Sequence, residues 1–232
     1  MINPELLLND IQPGINSPKY SRYTYNNHGV PSVTELLGFI DSQGLIDWAN
    51  AIGRKGMDNK KILATAARFG TNTHSAIENY LQGNDVFVEN SAFEAFKNWW
   101  KIINEGHRVV ILGQEDPLVG QFFAGTYDLL ISIDDKIYLV DFKTSNNVGY
   151  KYFMQLAAYR YLLYTLKGIN INGCIVLQLS KGPKPKFNEF LLNFENPIEY
   201  EFIENCFRSF MGLVYTFYNV EMCKEGFKEI FK

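Results

Sequence analysis

Little in this chain points to a membrane, a disulfide framework or a strongly basic surface, and each absence narrows the field. No apolar run reaches the roughly eighteen residues that a bilayer span needs. The opening Met1-Ile-Asn-Pro-Glu5 lacks a basic stretch followed by an apolar one, so no secretory leader is expected and the cytoplasm is the expected compartment. Cysteine is scarce, with 3 in 232 residues. Cys174, Cys206 and Cys223 are odd in number and without CxxC spacing, which fits reduced thiols better than a disulfide frame or a zinc site. Repeats and low-complexity tracts are absent. The net charge of −3 does not advertise a nucleic-acid binder. Nor does it exclude one, since binding needs only a local basic stripe and a metal site adds acids. Lys181, Lys184 and Lys186, set around Pro183 and Pro185, are either such a stripe or a solvated hairpin loop.

What is present is an ordinary globular composition, 47% hydrophobic and 20% charged, in a length suited to one sizeable core. Residues 1–30, rich in Asn, Pro, Tyr and Ser, read as an irregular arm, and residues 31–232 as a single domain. Ser32-Val-Thr-Glu35 after Pro31 is a capping-box pattern that starts a helix. Helical pattern follows over 44–53 around Trp48 and over 59–69. Gly70-Thr71 then either interrupts the helix or permits close packing, and the pattern resumes to Leu81. Another helix spans 91–105, with Phe93, Phe96, Trp99 and Trp100 as a core stripe. Strand signals cover 108–113, 126–133, 136–143, 173–180 and 187–194. Gln114-Glu-Asp-Pro117 reads as the turn after the first of these. A helix over 150–167 ends at Gly168, and one or two helices run from Pro197. The order predicts an α/β fold with a central mixed sheet flanked by helices.

The most informative segment is the hairpin of 126–133 and 136–143. A two-residue Asp134-Asp135 turn pairs Ile133 with Lys136, so paired positions sum to 269. Asp128 and Asp141 then lie opposite each other on one face, with Lys143 beside them, because side chains alternate. The other face carries Tyr127, Leu129, Ile131 and Ile133 against Phe142, Val140 and Tyr138, a set fit for a core. Facing carboxylates, with Cβ atoms about 4.5–5.5 Å apart, repel. Either one acid takes a proton or a cation sits between them, and a divalent metal would give both a ligand role. A lysine two residues after an acid could hold a nucleophilic water or an anionic transition state. That is equipment for metal-assisted phosphodiester hydrolysis; the alternative is a hairpin of merely solvated acids.

Other residues could join. His74 and Glu78 share a helix face at i,i+4; they form a surface contact, or His74 gives nitrogen to the metal. A histidine with carboxylates suits Mn²⁺, while Mg²⁺ prefers an all-oxygen shell. Glu115 either lines the cleft or is a solvated turn acid. Gln155, in an apolar stretch, needs a partner, because a buried unsatisfied amide costs about 1–3 kcal/mol. That partner would be the lysine, a water or a DNA phosphate. Tyr159, one turn on, is either core or a base-stacking ring.

In this order, His74…Glu115…Gly125-Thr-Tyr-Asp128…Asp141-Phe-Lys143…Gln155-xxx-Tyr159 closely resembles the PD-(D/E)xK nuclease superfamily, in particular its RecB-like branch. Pro31-Ser-Val-Thr-Glu-Leu-Leu37, Trp48 and Gly70-Thr-Asn-Thr-His74…Ile77-Glu78…Tyr80-Leu81 resemble exonucleases of the mitochondrial genome maintenance type and phage-encoded exonucleases. The resemblance covers roughly residues 30–165. It implies a restriction-endonuclease-like core in which His74, Asp128 and Asp141, with the Phe142 backbone carbonyl, hold Mg²⁺ or Mn²⁺. Lys143 would activate or orient water. Gln155 and Tyr159, with Thr144, would support the lysine and the substrate, and Glu115 would be accessory. Tyr127 stands where the superfamily's eponymous proline would be, as in many RecB-like members. The four-cysteine iron–sulfur staple of some relatives is absent, so no iron–sulfur cluster is expected. The implied function is a metal-dependent DNA exonuclease acting on single-stranded DNA or free ends in replication, recombination or repair. The rivals are a structure-selective endonuclease, of junction-resolvase or flap type, and a DNA-binding module without turnover.

Overall fold

Asp134 and Asp135 set the register of the central hairpin. Both adopt the left-handed backbone, with φ of 48° and 67°, which matches a two-residue turn to the right-handed twist of the strands it joins. The pairs run from Ile133 with Lys136 to Leu129 with Val140, each summing to 269 as expected. The computed structural model describes Leu8 and residues 22–40, 43–88 and 90–231.

A short hairpin, β1 (Tyr23–Tyr25) and β2 (His28–Val30), leads into α1 (Val33–Leu37), a single 3₁₀ turn (Gly38–Ile40) and α2 (Gln43–Arg54). Two long helices follow, α3 (Asn59–Leu81) and α4 (Ser91–Gly106). Strands β3 (Val109–Val119), β4 (Ala124–Ile133) and β5 (Lys136–Lys143) form a meander. Helix α5 (Tyr150–Lys167) then crosses to β6 (Gly173–Leu179), β7 (Phe187–Asn193) and a closing helix α6 (Pro197–Ile230). The five long strands form one mixed sheet in the order β3-β4-β5-β6-β7, with β5 and β6 parallel and the other pairs antiparallel. The α/β class, with a mixed sheet flanked by helices, is as expected.

Local chemistry accounts for the ends of these elements. Ser32 Oγ accepts the Glu35 N–H while Glu35 accepts the Ser32 N–H at 2.7 Å, the capping box read from sequence. Gly168 closes α5 in the left-handed conformation, φ 67°, which a glycine adopts without a Cβ penalty.

Both faces of the sheet are buried, where the sequence suggested one. Leu130, Leu139, Cys174 and Val176 pack under α1, α5 and α6, and Leu8 joins this core. Leu129, Ile131, Val140, Phe142 and Leu177 pack under α3 and α4, against Ile77, Phe96 and Trp99. The strands are covered by helices on both sides, so both alternating sets are apolar. Tyr127 corrects a second expectation: it packs with Leu130 and Leu139, not with Leu129 and Ile131. Pairing of β4 with β5 ends at Leu129, and the alternation resets at Asp128.

Three further differences have local causes. Residues 23–30 of the expected irregular arm form a hairpin, because Asn26 and Asn27 take the left-handed turn, φ 48° and 66°; the rest of the arm, save Leu8, and the Trp48 side chain lie outside the described residues. Helix α3 runs through Gly70 unbroken, and a Cβ there would sit in ordinary contact, 3.4 Å from Thr144 Oγ1. The expected turn at 114–117 lies inside β3. That strand is the sheet edge, where Pro117 removes no needed ladder bond.

Candidate active site

The Gly125-Thr-Tyr-Asp128 segment places four residues with four tasks. A Cβ on Gly125 would lie 2.5 Å from the ring of Tyr159, so glycine lets the α5 tyrosine pack against the strand. Thr126 Oγ1 meets Tyr23 Oη at 3.0 Å, tying the N-terminal hairpin to the site. Tyr127 Oη donates to Asp116 at 3.2 Å. Asp128 turns toward β5 and accepts the Phe142 N–H at 2.6 Å, in the place a strand carbonyl would take.

Asp128 is one wall of a cluster. His74 Nδ1 lies 3.5 Å from Asp128 Oδ1 and 3.7 Å from Glu115 Oε1. One ligand atom from each of the three falls within 4.8 Å of the others. On its other side, His74 Nε2 donates to the Phe142 carbonyl at 3.1 Å. The peptide of Phe142 is thus held at its N–H by one site acid and at its C=O by the site histidine. Glu78, which shares a face with His74 in sequence, instead accepts from Gln82.

Glu115 reaches the cluster by an unusual route. It adopts φ 44°, a left-handed backbone that costs a non-glycine residue on the order of 1–3 kcal/mol. Its neighbours hold it there. Asp116 receives Tyr127 Oη and is ion-paired with Lys167 of α5. The Tyr127 hydroxyl occupies the space where a Cβ on Gly113 would be, 2.2 Å away. Gly113 therefore admits Tyr127, Tyr127 and Lys167 fix Asp116, and Asp116 fixes the bend that turns Glu115 inward.

Asp141 and Lys143 form a second unit. The lysine Nζ lies 2.8 Å from Asp141 Oδ1 and 2.7 Å from Oδ2, and 5.0 Å from the centre of the Tyr152 ring. Asp141 is only 2% exposed. Lys143 hydrogen-bonds Oδ1, while the buried Oδ2 meets the ammonium as an ion pair without a hydrogen bond. Sequence spacing set Asp128 and Asp141 face to face, with a proton or a cation to relieve them; in the structure Asp141 is ion-paired with Lys143, and Asp128 lies beside His74. Gln155 is buried on α5 and donates to Tyr159 Oη at 3.3 Å, so its partner is the tyrosine one turn away rather than Lys143. Thr144 stands against Gly70, one helical turn before His74.

The electrostatics follow from burial and pairing. Burial disfavours a charged imidazole, but Asp128 and Glu115 outweigh it and raise His74 to about 10. Burial works against the Asp128 carboxylate as well, yet His74 and Lys143 hold it below its usual range. Burial lifts Asp141 to about 6 against the pull of Lys143. Lys143 is raised despite burial by Asp141 and Asp128, so it remains an ammonium.

The donor set fits a divalent cation. Two carboxylates and an imidazole converge there. One nitrogen with two carboxylate oxygens suits Mn²⁺ and admits Mg²⁺. Tyr152 and the Asp116–Lys167 pair escaped the sequence reading. Tyr152 had a signal, since it lies three residues before Gln155 on the same helix face.

No family model and no curated protein matches the chain. Among solved structures, a candidate exonuclease from Eubacterium rectale is similar at 12% identity and a TM-score of 0.47, over 83% of this chain and 82% of that one. An alkaline exonuclease from Laribacter hongkongensis is similar at 14% identity and a TM-score of 0.29, over 67% of this chain and 84% of that one. The same enzyme in complex with dAMP gives 14% and 0.31, over 67% and 85%. Likenesses this distant carry no argument about activity.

Proposed function

We propose that the protein is a divalent-metal-dependent deoxyribonuclease that removes nucleotides from free, single-stranded DNA ends in replication, recombination or repair. One observation carries this reading: a three-ligand acidic cluster and a separate lysine–aspartate pair lie on either side of the Phe142 peptide. His74, Glu115 and Asp128 would hold the cation. When bound, it would offset the charge of the scissile phosphate and of the leaving oxygen. Asp128 and His74 keep the Phe142 peptide, and with it the spacing of Asp141 and Lys143, in place. Lys143 acts as a donor, because a lysine held as an ammonium cannot take a proton. Its free N–H groups orient a water, or a non-bridging phosphate oxygen, for in-line attack. The water oxygen joins phosphorus, the phosphorus–oxygen ester bond breaks, and the water's proton leaves to solvent or to the departing oxygen. Tyr152 confines the ammonium, and Gln155 and Tyr159 shape the wall behind it.

The test is cleavage of end-labelled linear DNA and of circular DNA, each single- and double-stranded, with Mg²⁺, Mn²⁺ or EDTA. Cation-dependent loss of linear single strands with circles left intact is the expected result. Cleaved circles would make the enzyme an endonuclease. DNA binding without cleavage in either metal would leave a silent DNA-binding module.

A further inference from the structure

The N-terminal half of α3 carries an apolar stripe that is only half-buried. Thr73, Ala76 and Ile77, on the C-terminal half, are buried against the sheet. Stepping back from Thr73 by threes and fours along the same face gives Phe69, Ala66 and Ile62. The helix is about 35 Å long at 1.5 Å per residue, and its fully buried residues all lie in the C-terminal half. Along this end runs a groove of about 630 Å³, its apolar lining made by Met57, Ile62, Ala66 and Phe69 and its cations by Lys61 and Lys181. Its polar side chains are engaged in the helix: Asp58 caps α3 by accepting the N–H groups of Lys60 and Lys61, and the Thr65 hydroxyl donates to the Lys61 carbonyl. Two lysines against one aspartate leave the lining net positive.

The groove adjoins the candidate active site. Strands β5 and β6 run parallel and end on the same side of the sheet, and open α/β sheets bind ligands past such strand ends. Thr144, directly after Lys143, faces Gly70 on α3, where a Cβ would stand 3.4 Å from its Oγ1. Lys181, two residues after β6 ends, places its ammonium 5.7 Å from the centre of the Phe69 ring. From Phe69 to His74 the helix rises only about 7–8 Å.

We infer that this groove is the track on which an unpaired DNA strand approaches the site, with bases on Phe69 and Ile62 and phosphates on Lys61 and Lys181. An apolar floor beside cations suits a single strand, whose exposed bases stack on side chains while its backbone follows positive charge. A duplex keeps its bases inside and could use only the rim. A base on the Phe69 ring would move the Lys181 ammonium outward to a phosphate. The inference rests on the nuclease reading and adds to it how the strand is held.

The experiment measures anisotropy of a short labelled oligothymidylate, and of a duplex of equal length, in EDTA so that nothing is cleaved. Phe69→Ala should weaken oligothymidylate binding by about 5- to 160-fold, the effect of losing one stacked base, and leave duplex binding unchanged. Lys181→Ala should lower the salt dependence by about one phosphate contact. Mn²⁺ affinity by calorimetry should stay at the wild-type value in both variants. Wild-type strand binding by both variants, with the parent still cleaving DNA, would overturn the track and leave the nuclease standing. A parent that neither cleaves nor binds DNA would remove both. Equal losses on duplex would show that only phosphates are read. Self-association abolished by Phe69→Ala would give the groove to a second copy of the chain.

Discussion

The two halves of the candidate active site are neutralised differently. Asp141 and Lys143 are two residues apart on one strand and cancel each other in a buried ion pair. His74, Glu115 and Asp128 come from a helix, an edge strand and a central strand, and set two carboxylates against one imidazole. The first half is complete without a guest. The second has an excess of negative charge that a divalent cation would balance, displacing the histidine proton as it binds. Paired acids next to a lysine therefore need not share one cation, because a lysine in the pair can neutralise one of them.

Asp128→Asn should separate the halves most sharply. Asparagine still accepts the Phe142 N–H, so the strand junction is kept, but the cluster loses a charge. Mn²⁺ affinity should fall by more than the roughly 10–100-fold lost with an outer-shell partner, and nuclease activity should vanish. Asp141→Asn should leave Mn²⁺ affinity near the wild-type value while activity drops. Equal losses of metal binding in the two variants, by calorimetry, would return Asp141 to the cluster.

Lys143→Ala attacks the other half. Turnover should fall about 10²–10⁴-fold, the range for removing a positioned proton-handling or donor group, while Mn²⁺ affinity stays. Removing the lysine also leaves Asp141 buried without its cation, which should destabilise the fold by about 3–5 kcal/mol in denaturant melts. Full activity in this variant would remove the lysine from the mechanism.

Titration should distinguish the halves more gently. His74 is raised to about 10 in the metal-free protein, against roughly 6.5 when unfolded. The stability it contributes is fully present below pH 6.5 and is lost as pH rises through 10. Because a ligand histidine must give up its Nδ1 proton, Mn²⁺ affinity should rise about tenfold per pH unit between 7 and 10. Melts in EDTA should therefore decline across that window, while melts with saturating Mn²⁺ should change much less. A pH-independent affinity would show that His74 is not a ligand.

Legibility followed the range of the interactions. The β4–β5 register could be read because a two-residue turn and a period of two leave one alignment, and the α1 cap because its four residues contact only each other. The partition of the acids could not, because it depends on where β4 leaves β5 and on a helix some fifty residues earlier in the chain. Glu115 was misplaced for a related reason. Gln-Glu-Asp-Pro has the composition of a turn, and only the edge position of β3 and the contacts of Asp116 make it strand. The groove along α3 was also invisible, since Lys181 joins it from a distant part of the chain.

Tyr127 offers the finest probe, because it touches neither half directly. Its hydroxyl holds Asp116, and Asp116 holds the left-handed bend at Glu115. Tyr127→Phe keeps the ring in its core and removes only that bond, so the fold should lose no more than the 0.5–1.5 kcal/mol that a typical hydrogen bond contributes. If the bond steers Glu115, Mn²⁺ affinity should fall about tenfold, the lower end for an outer-shell partner, and Lys167→Met, which removes the other restraint on Asp116, should add to the loss. The lysine half should not respond: turnover at saturating Mn²⁺ should match the wild type. A drop in saturated turnover with unchanged metal affinity would mean that Tyr127 acts on the Asp141–Lys143 pair, and that the two halves are mechanically one.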